Sequence, residues 1–214
     1  MDGIDVILFD LDNTLYHPAS GLLEAGDETI TRFISERLKI PWERANQMRV
    51  RTWREYGATA RGMEVEHGIP QREFFAGSIE QVCVEEYIGP QPELRAMLQS
   101  LPQRLYVFTN APCVYAARTL QALDIADLIS GVFDIETTGG LPKPECGCYD
   151  QVLEEMGVPA ERIALLEDTE ANLTPAADLG MVTIKVGPPP PSGDHLYLED
   201  LLDLPKLLRD RAAG

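Results

Sequence analysis

Two aspartates, Asp10 and Asp12, stand one residue apart directly after an apolar run, Val6 to Phe9. The run is typical of a strand buried on both faces. Alternate residues of an extended chain face the same way, so both carboxylates can reach one small volume past the end of the strand. Two carboxylates so near each other repel unless a cation or a shared proton lies between them. Mg²⁺ would satisfy this requirement, although an isolated pair of this kind can also be a solvated acidic turn.

Two other metal sites are excluded by spacing. Counting from Asp10, a calcium loop would need its turn glycine where Leu15 stands and its bidentate glutamate where Gly21 stands. A structural zinc site would need a second cysteine pair besides Cys146 and Cys148, which are the only closely spaced cysteines. We therefore expect reduced thiols.

Three further polar segments follow predicted strands or lie in a constrained loop. They are Thr109-Asn110, Lys143 between Pro142 and Pro144, and Glu167-Asp168 followed by Asn172. Each segment alone has a simpler explanation: a helix N-cap, a solvated lysine, or acidic residues at a helix N-terminus. Together they bring a hydroxyl, a cation and more carboxylates to the edge of the sheet where the first two aspartates lie. That combination is typical of an active site.

The elements that must position these residues alternate between strand and helix in the second half of the chain. Strands are predicted at 105–108, 132–134, 163–166 and 182–186, and helices at 92–100, 114–123, 149–156 and 171–179. With the strand at 6–9, this alternation predicts an α/β fold with a doubly wound, Rossmann-like parallel sheet. An extended spacer is expected at 188–191 and a closing helix at 196–208.

A helical segment separates the first strand from this alternation. One amphipathic helix is predicted to end before Ile40-Pro41 and a second to start at Pro41. Irregular chain is expected from Gly57 to Gly68, and a further helix over 74–83, before Gly89-Pro90. The predicted domains are an α/β core, residues 1–16 and 92–214, and a helical cap, residues 17–91.

Composition limits the possible partners. The 214 residues include 35 acidic and 18 basic side chains, a net charge of −17, which argues against binding a nucleic-acid polymer. A phosphate site must therefore be built locally from a metal, a lysine and main-chain amides. There is no apolar run of about 20 residues for a membrane span and no leader pattern, so we expect a soluble, cytoplasmic protein.

The polar segments together resemble the four motifs of the haloacid dehalogenase (HAD) superfamily. The segments are the DxDxT of Asp10 to Thr14, Thr109-Asn110, Lys143-Pro144, and Glu167-Asp168 with Asn172. The helical insertion after the first motif resembles that superfamily's type I cap. Within it, Tyr56-Gly57, Arg61-Gly62 and His67-Gly68-Ile69, with Phe108-Thr109-Asn110-Ala111, resemble the pyrimidine 5′-nucleotidase branch. The resemblance extends from Asp5 to about Val186.

The resemblance implies Mg²⁺-dependent phosphoryl transfer through an aspartyl-phosphate. Asp10 would attack phosphorus in line, and Asp12 would protonate the leaving alcohol and then deprotonate the hydrolytic water. Phosphoryl oxygens would be bound by the Thr109 hydroxyl and by the amides of Leu11 and Asn110. Lys143 would hold the nucleophile and offset negative charge in the transition state.

The resemblance also implies a ligand set and a specificity region. An Asp10 oxygen, the Asp12 carbonyl oxygen and Asp168 would bind Mg²⁺, and Glu167 and Asn172 would support this shell from outside. The cap would supply specificity, because its arginine and aromatic residues could stack on or hydrogen-bond a base; the candidates are Arg51, Trp53, Tyr56 and Arg61. Of these, Tyr56 and Arg61 are the two that we expect to contact the base.

The hypothesis from sequence is hydrolysis of a nucleoside 5′-monophosphate, with UMP or CMP preferred. Another small ester, such as a sugar phosphate or phosphoglycolate, remains open. A mutase is less favoured because it must protect its phosphoenzyme from water, and a dehalogenase is disfavoured because it needs no acid at Asp12. A non-catalytic binding module is disfavoured because Asp10, Asp12, Lys143 and Asp168 are all present. The sequence does not indicate an oligomeric state.

We predict that EDTA abolishes phosphate release from a phosphomonoester and that added Mg²⁺ restores it, because the clustered carboxylates would otherwise repel the substrate. Released phosphate is measured in metal-stripped buffer before and after addition of Mg²⁺, with Na⁺ at equal ionic strength as the control. Activity that persists in the chelator would contradict the metal site at Asp10 and Asp168.

Overall fold

A computed structural model describes residues 3–189 and 193–212. Its centre is a six-stranded sheet in the order β3-β2-β1-β4-β5-β6, in which every neighbouring pair is parallel. The strands are β1 Val6–Phe9, β2 Arg104–Phe108, β3 Gly131–Phe133, β4 Ile163–Glu167, β5 Val182–Val186 and β6 Leu196–Leu198. The predicted α/β fold with a doubly wound parallel sheet is confirmed.

Within the described residues, four α-helices follow β1 before residue 92. They are α1 Leu22–Leu38, α2 Trp42–Tyr56, α3 Thr59–His67 and α4 Gln71–Gly77. Short 3₁₀ turns at Ile79–Gln81 and Val84–Glu86 follow α4. We call the segment 17–91 the cap, with the bounds that the sequence predicts.

Helices cover both faces of the sheet. They are α5 Pro92–Gln99, α6 Cys113–Ala122, α7 Cys146–Met156, α8 Glu170–Asp178 and α9 Leu204–Ala212. Alternate side chains of β1 point to opposite faces of the sheet. Ile7 and Phe9 pack against α5, α6 and α9 on one face, and Val6 and Leu8 pack against α7 and α8 on the other. This two-sided burial explains why β1 is apolar throughout.

The strand order places the loops of interest at one crevice. The chain winds from β1 to β3 in one direction and from β4 to β6 in the other, so the order reverses beside β1. Ligands of such sheets bind outside the carboxyl ends of the strands at this reversal. Phe9 pairs with Val107 of β2 and with Leu166 of β4. The residues that follow Phe9, Val107 and Leu166 therefore lie side by side at the carboxyl edge of the sheet.

The predicted irregular stretch from Gly57 to Gly68 is wrong, because it contains α3. Both glycines are left-handed C-caps, with φ of 76° and 65°, and they end α2 and α3. Glycine favours this conformation because it has no Cβ. Each glycine thus marks the end of a helix, and the buried Ala60 and Met63 lie between them.

Two other predicted helices are shorter than expected. The one over 74–83 stops at Gly77, because Ser78 leaves helical geometry with φ −129° and ψ −100°. The prediction of a closing helix over 196–208 is wrong for its first residues, because Leu196–Leu198 forms β6 beside β5. The α-helix begins only at Leu204. Of the predicted spacer at 188–191, Pro190 and Pro191 lie outside the described residues.

Among the described residues, every helix is too short or too polar to cross a membrane.

The cap contacts the core at the loop that carries Lys143. A Cβ at Gly57 would lie 2.8 Å from the Lys143 carbonyl oxygen and 3.2 Å from Cδ of Pro144. Nearby, the Gln71 side-chain amide donates to the Gly140 carbonyl at 3.1 Å. Gly57 therefore ends a helix and also permits a close approach of the cap to the core.

We predict that Gly57→Ala lowers the free energy of unfolding by about 1 kcal/mol more than Gly68→Ala, measured by urea denaturation. Both variants place alanine at positive φ, but a Cβ at Gly68 has nothing within 4 Å, so only Gly57→Ala adds a collision with the core. Equal losses in the two variants would contradict this cap–core contact.

Candidate active site

The side chain of Lys143 is buried, with 1% exposed, at the carboxyl edge of the sheet. Its ammonium donates to Asp10 Oδ1 at 2.8 Å, to Glu167 Oε2 at 2.6 Å and to the Phe108 carbonyl at 2.8 Å. These bonds use all three of its protons. Burial alone would lower the pKa of the ammonium, but the carboxylates of Asp10 and Glu167 more than offset this, so the pKa is raised. Lys143 is therefore a fixed positive charge.

Asn110 holds the loop of Lys143 in place. Its side-chain amide donates to the Lys143 carbonyl at 3.0 Å, and the Lys143 amide donates to its Oδ1 at 2.7 Å. This reciprocal pair joins the end of β2 to a loop 33 residues later. The Asn110 side chain thus positions the lysine, and the predicted role of its main-chain amide in phosphate binding stays a prediction.

Asp10 directly follows β1 and is buried. Its amide donates to the Leu166 carbonyl at 2.8 Å, and its Oδ2 accepts from the Thr14 hydroxyl at 3.3 Å. Burial and then the charge of Glu167 raise the pKa of Asp10 to about 7, although Lys143 acts in the opposite direction. A carboxylate that is poorly solvated but oriented by an ammonium is suited to act as a nucleophile.

Three carboxylates, those of Asp10, Glu167 and Asp168, have oxygens within 4.8 Å of one another. Burial raises the pKa of each carboxyl because the ionised form is poorly solvated there. When ionised, the three carboxylates together carry more negative charge than the single ammonium of Lys143 balances. Beside them, Asn13 Nδ2 donates to Asp168 Oδ2 at 3.5 Å. Within the described part of the chain, the buried Asn13 Oδ1 has no hydrogen-bond partner. A set of hard oxygen donors with excess negative charge fits Mg²⁺.

Glu167 and Asn172 lie where the sequence predicts supporting residues. Glu167 Oε1 accepts from the Thr169 amide at 3.1 Å and Oε2 accepts from Lys143, so both oxygens already have partners. The Asn172 carbonyl accepts from the Tyr149 hydroxyl at 2.6 Å, and Asn172 also lines the adjacent cavity. Glu167 thus orients the ammonium of Lys143 and braces the loop that follows β4.

Asp12 is oriented by two tyrosines. Its Oδ1 accepts from the Tyr16 hydroxyl at 2.6 Å and from the Tyr115 hydroxyl at 3.0 Å. Burial raises the pKa of Asp12, and these two bonds oppose the rise. The sequence motifs predict no role for either tyrosine. Tyr16 stands four residues after Asp12 and could have been suspected, whereas nothing local connects Tyr115 to this carboxyl.

Thr109 follows β2 and lies buried at the same edge. Its amide donates to the Phe133 carbonyl at 2.9 Å, and its hydroxyl oxygen accepts from the Ala111 amide at 3.0 Å. A hydroxyl that accepts in this way still has its proton to donate. The Leu11 side chain is buried in the core, so its predicted contribution would come from the main chain alone.

A cavity of about 390 Å³ separates these residues from the cap. The core side of its wall includes Asp10, Asp12, Thr109, Asn110, Lys143, Glu167, Asp168 and Asn172. The cap side includes Leu23, Asp27, Ile30, Arg49, Trp53, Phe74, Phe75 and Ile79. The structure therefore brings together the polar segments that the sequence singled out, and it covers them with a largely apolar cap surface.

The wall of this cavity does not include Tyr56 or Arg61. Arg61 pairs with Glu64 at 3.2 Å, and Tyr56 lies beside the carboxylate of Glu66. Trp53, one of the other cap candidates, does line the cavity, and so does Arg49, which the sequence did not single out. The sequence alone does not indicate which arginine or aromatic residues of α2 face the cavity, because they lie on several sides of the helix.

The family model for haloacid dehalogenase-like hydrolases matches residues 4–180. The chain belongs to this family. The matched range includes every residue named above as lining the cavity. This HAD hydrolase is similar to Phosphate metabolism protein 8 of Saccharomyces cerevisiae, with 23% identity over 193 residues. The alignment covers 82% of the chain but only 59% of the yeast protein, so the chain spans about three-fifths of that relative.

Solved structures show the same fold. A HAD phosphatase from Thermococcus onnurineus superposes with a TM-score of 0.67 at 17% identity, over 96% of this hydrolase and 98% of that chain. The HAD-hydrolase YfnB of Bacillus subtilis, solved with magnesium bound, superposes with a TM-score of 0.64 at 18% identity, over 96% and 98%. These structures confirm the predicted fold, and the family model confirms the resemblance at the level of the superfamily.

We predict that Lys143→Met lowers the free energy of unfolding of the hydrolase by about 3 kcal/mol in urea denaturation, because it leaves Asp10 and Glu167 buried without their cation. Adding Glu167→Gln should recover part of this loss, since one of the two unpaired anions is then removed. Lys206→Met, at an exposed position, is the control and should change stability by less than about 0.5 kcal/mol. A further loss in the double variant would contradict the ion-pair arrangement.

Proposed function

We propose that this hydrolase is a Mg²⁺-dependent phosphatase that cleaves small phosphomonoesters through an aspartyl-phosphate on Asp10. The observation that carries the proposal is the buried Asp10 carboxylate, held by the Lys143 ammonium at 2.8 Å, in a cavity that a second aspartate also lines. One carboxylate can then act as nucleophile while the other moves protons.

In the first step an Asp10 oxygen attacks phosphorus, and the bond from phosphorus to the ester oxygen breaks. Asp12 gives its proton to the departing oxygen, which leaves as an alcohol. The Thr109 hydroxyl has a proton to donate to a phosphoryl oxygen, and the positive charge of Lys143 lies beside the reacting carboxylate. Both interactions stabilise the negative charge that accumulates during transfer.

In the second step a water molecule attacks the phosphorus of the aspartyl-phosphate. Asp12, now ionised, takes a proton from that water, and the bond between phosphorus and Asp10 breaks to release inorganic phosphate. The apolar cap surface above the site limits the number of waters that can reach the intermediate. The protein returns to its starting state with Asp12 protonated.

Asp10 and Asp168, with the Asp12 carbonyl, are the residues that would hold Mg²⁺. When bound, the ion would neutralise charge on the phosphoryl oxygens and on the carboxylates around them. Support for this assignment comes from the clustered carboxylates and from the unsatisfied Asn13 oxygen beside Asp168. The magnesium-bound Bacillus subtilis structure has the same fold.

We further propose a pyrimidine nucleoside 5′-monophosphate as the preferred substrate. Trp53 lines the cavity with half of its surface exposed, which suits stacking on a flat ring. Arg49 lies 2.6 Å from Asp27 in the same wall, and this pair offers donors and an acceptor to the polar edge of a base. The sequence resemblance to the pyrimidine 5′-nucleotidase branch supports the same choice. The predicted cytoplasmic location of such an enzyme stays a prediction.

We predict that the wild-type protein with Mg²⁺ releases phosphate from UMP and CMP at higher kcat/KM than from purine monophosphates, sugar phosphates or phosphoglycolate. Asp10→Asn, which keeps the size of the side chain, should lower phosphate release by at least about a thousandfold, because the nucleophile is lost.

The panel separates the possible outcomes. Faster turnover of phosphoglycolate or a sugar phosphate would keep the phosphatase mechanism and reject the nucleotide assignment. Unchanged activity of Asp10→Asn would reject the aspartyl-phosphate. Phosphate release from none of the esters would favour a binding function on the same fold.

A further inference from the structure

The hydroxyls of Tyr16 and Tyr115 converge on one oxygen of Asp12. The distances to Oδ1 are 2.6 Å from Tyr16 and 3.0 Å from Tyr115, and the two hydroxyls lie 3.4 Å apart. Each tyrosine residue is only 2% exposed. Two buried donors on one carboxylate oxygen, contributed by residues 99 positions apart, form an arrangement that only the folded chain creates.

Both rings are fixed by packing. Tyr16 and Tyr115 belong to the core cluster on one face of the sheet, together with Leu15 and Leu22. Their hydroxyls therefore have little freedom to follow Asp12 if its carboxyl rotates. Hydrogen bonds from a neutral donor to an ionised acceptor are also stronger than those between neutral groups. The pair thus favours one orientation of the Asp12 side chain.

This arrangement makes the two oxygens of Asp12 unequal. Oδ1 already accepts two hydroxyl protons, so an acidic proton on the carboxyl is best placed on Oδ2. Asp12 lines the cavity, where the ester oxygen of a substrate must lie for proton transfer. When the proton leaves Oδ2, the negative charge that develops is shared with Oδ1, where both tyrosines stabilise it.

We propose that Tyr16 and Tyr115 are positioning residues that hold Asp12 with Oδ2 as its proton-transferring oxygen. The inference rests on the proposed phosphatase function. In the first step, the proton on Oδ2 passes to the ester oxygen as its bond to phosphorus breaks, and both tyrosines keep their own protons. In the second step, Oδ2 accepts a proton from water. Neither tyrosine needs to touch the substrate.

The test compares two leaving groups. The p-nitrophenolate that leaves p-nitrophenyl phosphate is stable without protonation, whereas the alkoxide from UMP needs a proton as it departs. We expect Tyr16→Phe and Tyr115→Phe, made separately, each to lower kcat/KM for UMP by about tenfold or more and for p-nitrophenyl phosphate by less than about threefold. If the wild type does not cleave UMP, phosphoglycolate serves as the alkyl ester.

Tyr149→Phe is the matched control. It also removes a buried tyrosine hydroxyl, one that donates to the Asn172 carbonyl and not to Asp12. It should change kcat/KM for both esters by the same factor, because a general distortion of the site does not depend on the leaving group. Thermal unfolding of every variant checks that it folds, and either tyrosine variant that folds is sufficient for the test.

The outcomes distinguish this inference from the function on which it rests. Equal losses on both esters in Tyr16→Phe or Tyr115→Phe, or no loss on either, would overturn the positioning role while leaving the phosphatase intact. If the wild-type protein cleaves neither ester, the proposed function fails and this inference fails with it. A selective loss on the alkyl ester supports both.

Discussion

The structure depends on one buried ammonium. The ammonium of Lys143 lies where β2, β1 and β4 end side by side. It donates a hydrogen bond to a group from each strand end: the Phe108 carbonyl at the end of β2, Asp10 just after β1 and Glu167 at the end of β4. The strand register makes this possible, because Phe9 pairs with both Val107 and Leu166 and the next residues are therefore level. A charge buried this deeply is tolerated only when paired and fully hydrogen-bonded, and these bonds meet that condition.

The remaining charge at the site is negative. One ammonium faces the carboxylates of Asp10 and Glu167, and Asp168 adds a third close by. Burial disfavours ionisation of each carboxyl, so the arrangement without a cation is electrostatically unfavourable. A protein with a net charge of −17 does not attract phosphate esters at long range. Under the proposed function, the attraction of such an ester would come from the lysine, from local donors and from a cation bound by the carboxylates.

The cap completes the site through close contact. Gly57 lets the end of α2 approach the Lys143 carbonyl, and Gln71 adds a hydrogen bond to Gly140. The same packing turns Arg49 and Trp53 into the cavity. Gly57, which restricts the backbone, and Trp53, which lines the cavity, are thus close together in the cap.

The α/β class, the parallel sheet and the segments that meet at its carboxyl edge are predictable from the sequence, because β1 and β4 are apolar runs that end in acidic residues. β6 is not predictable, since Leu196–Leu198 is a strand only through its pairing with β5. The same holds for α3, because the glycines at 57 and 68 resemble helix breaks in the sequence and are caps in the structure. The choice of cap residues that line the cavity, and the contact of Tyr115 with Asp12 across 103 positions, follow from tertiary packing. Local sequence patterns reflect backbone preference and burial, whereas the direction of a side chain and its distant partners depend on how the helices pack.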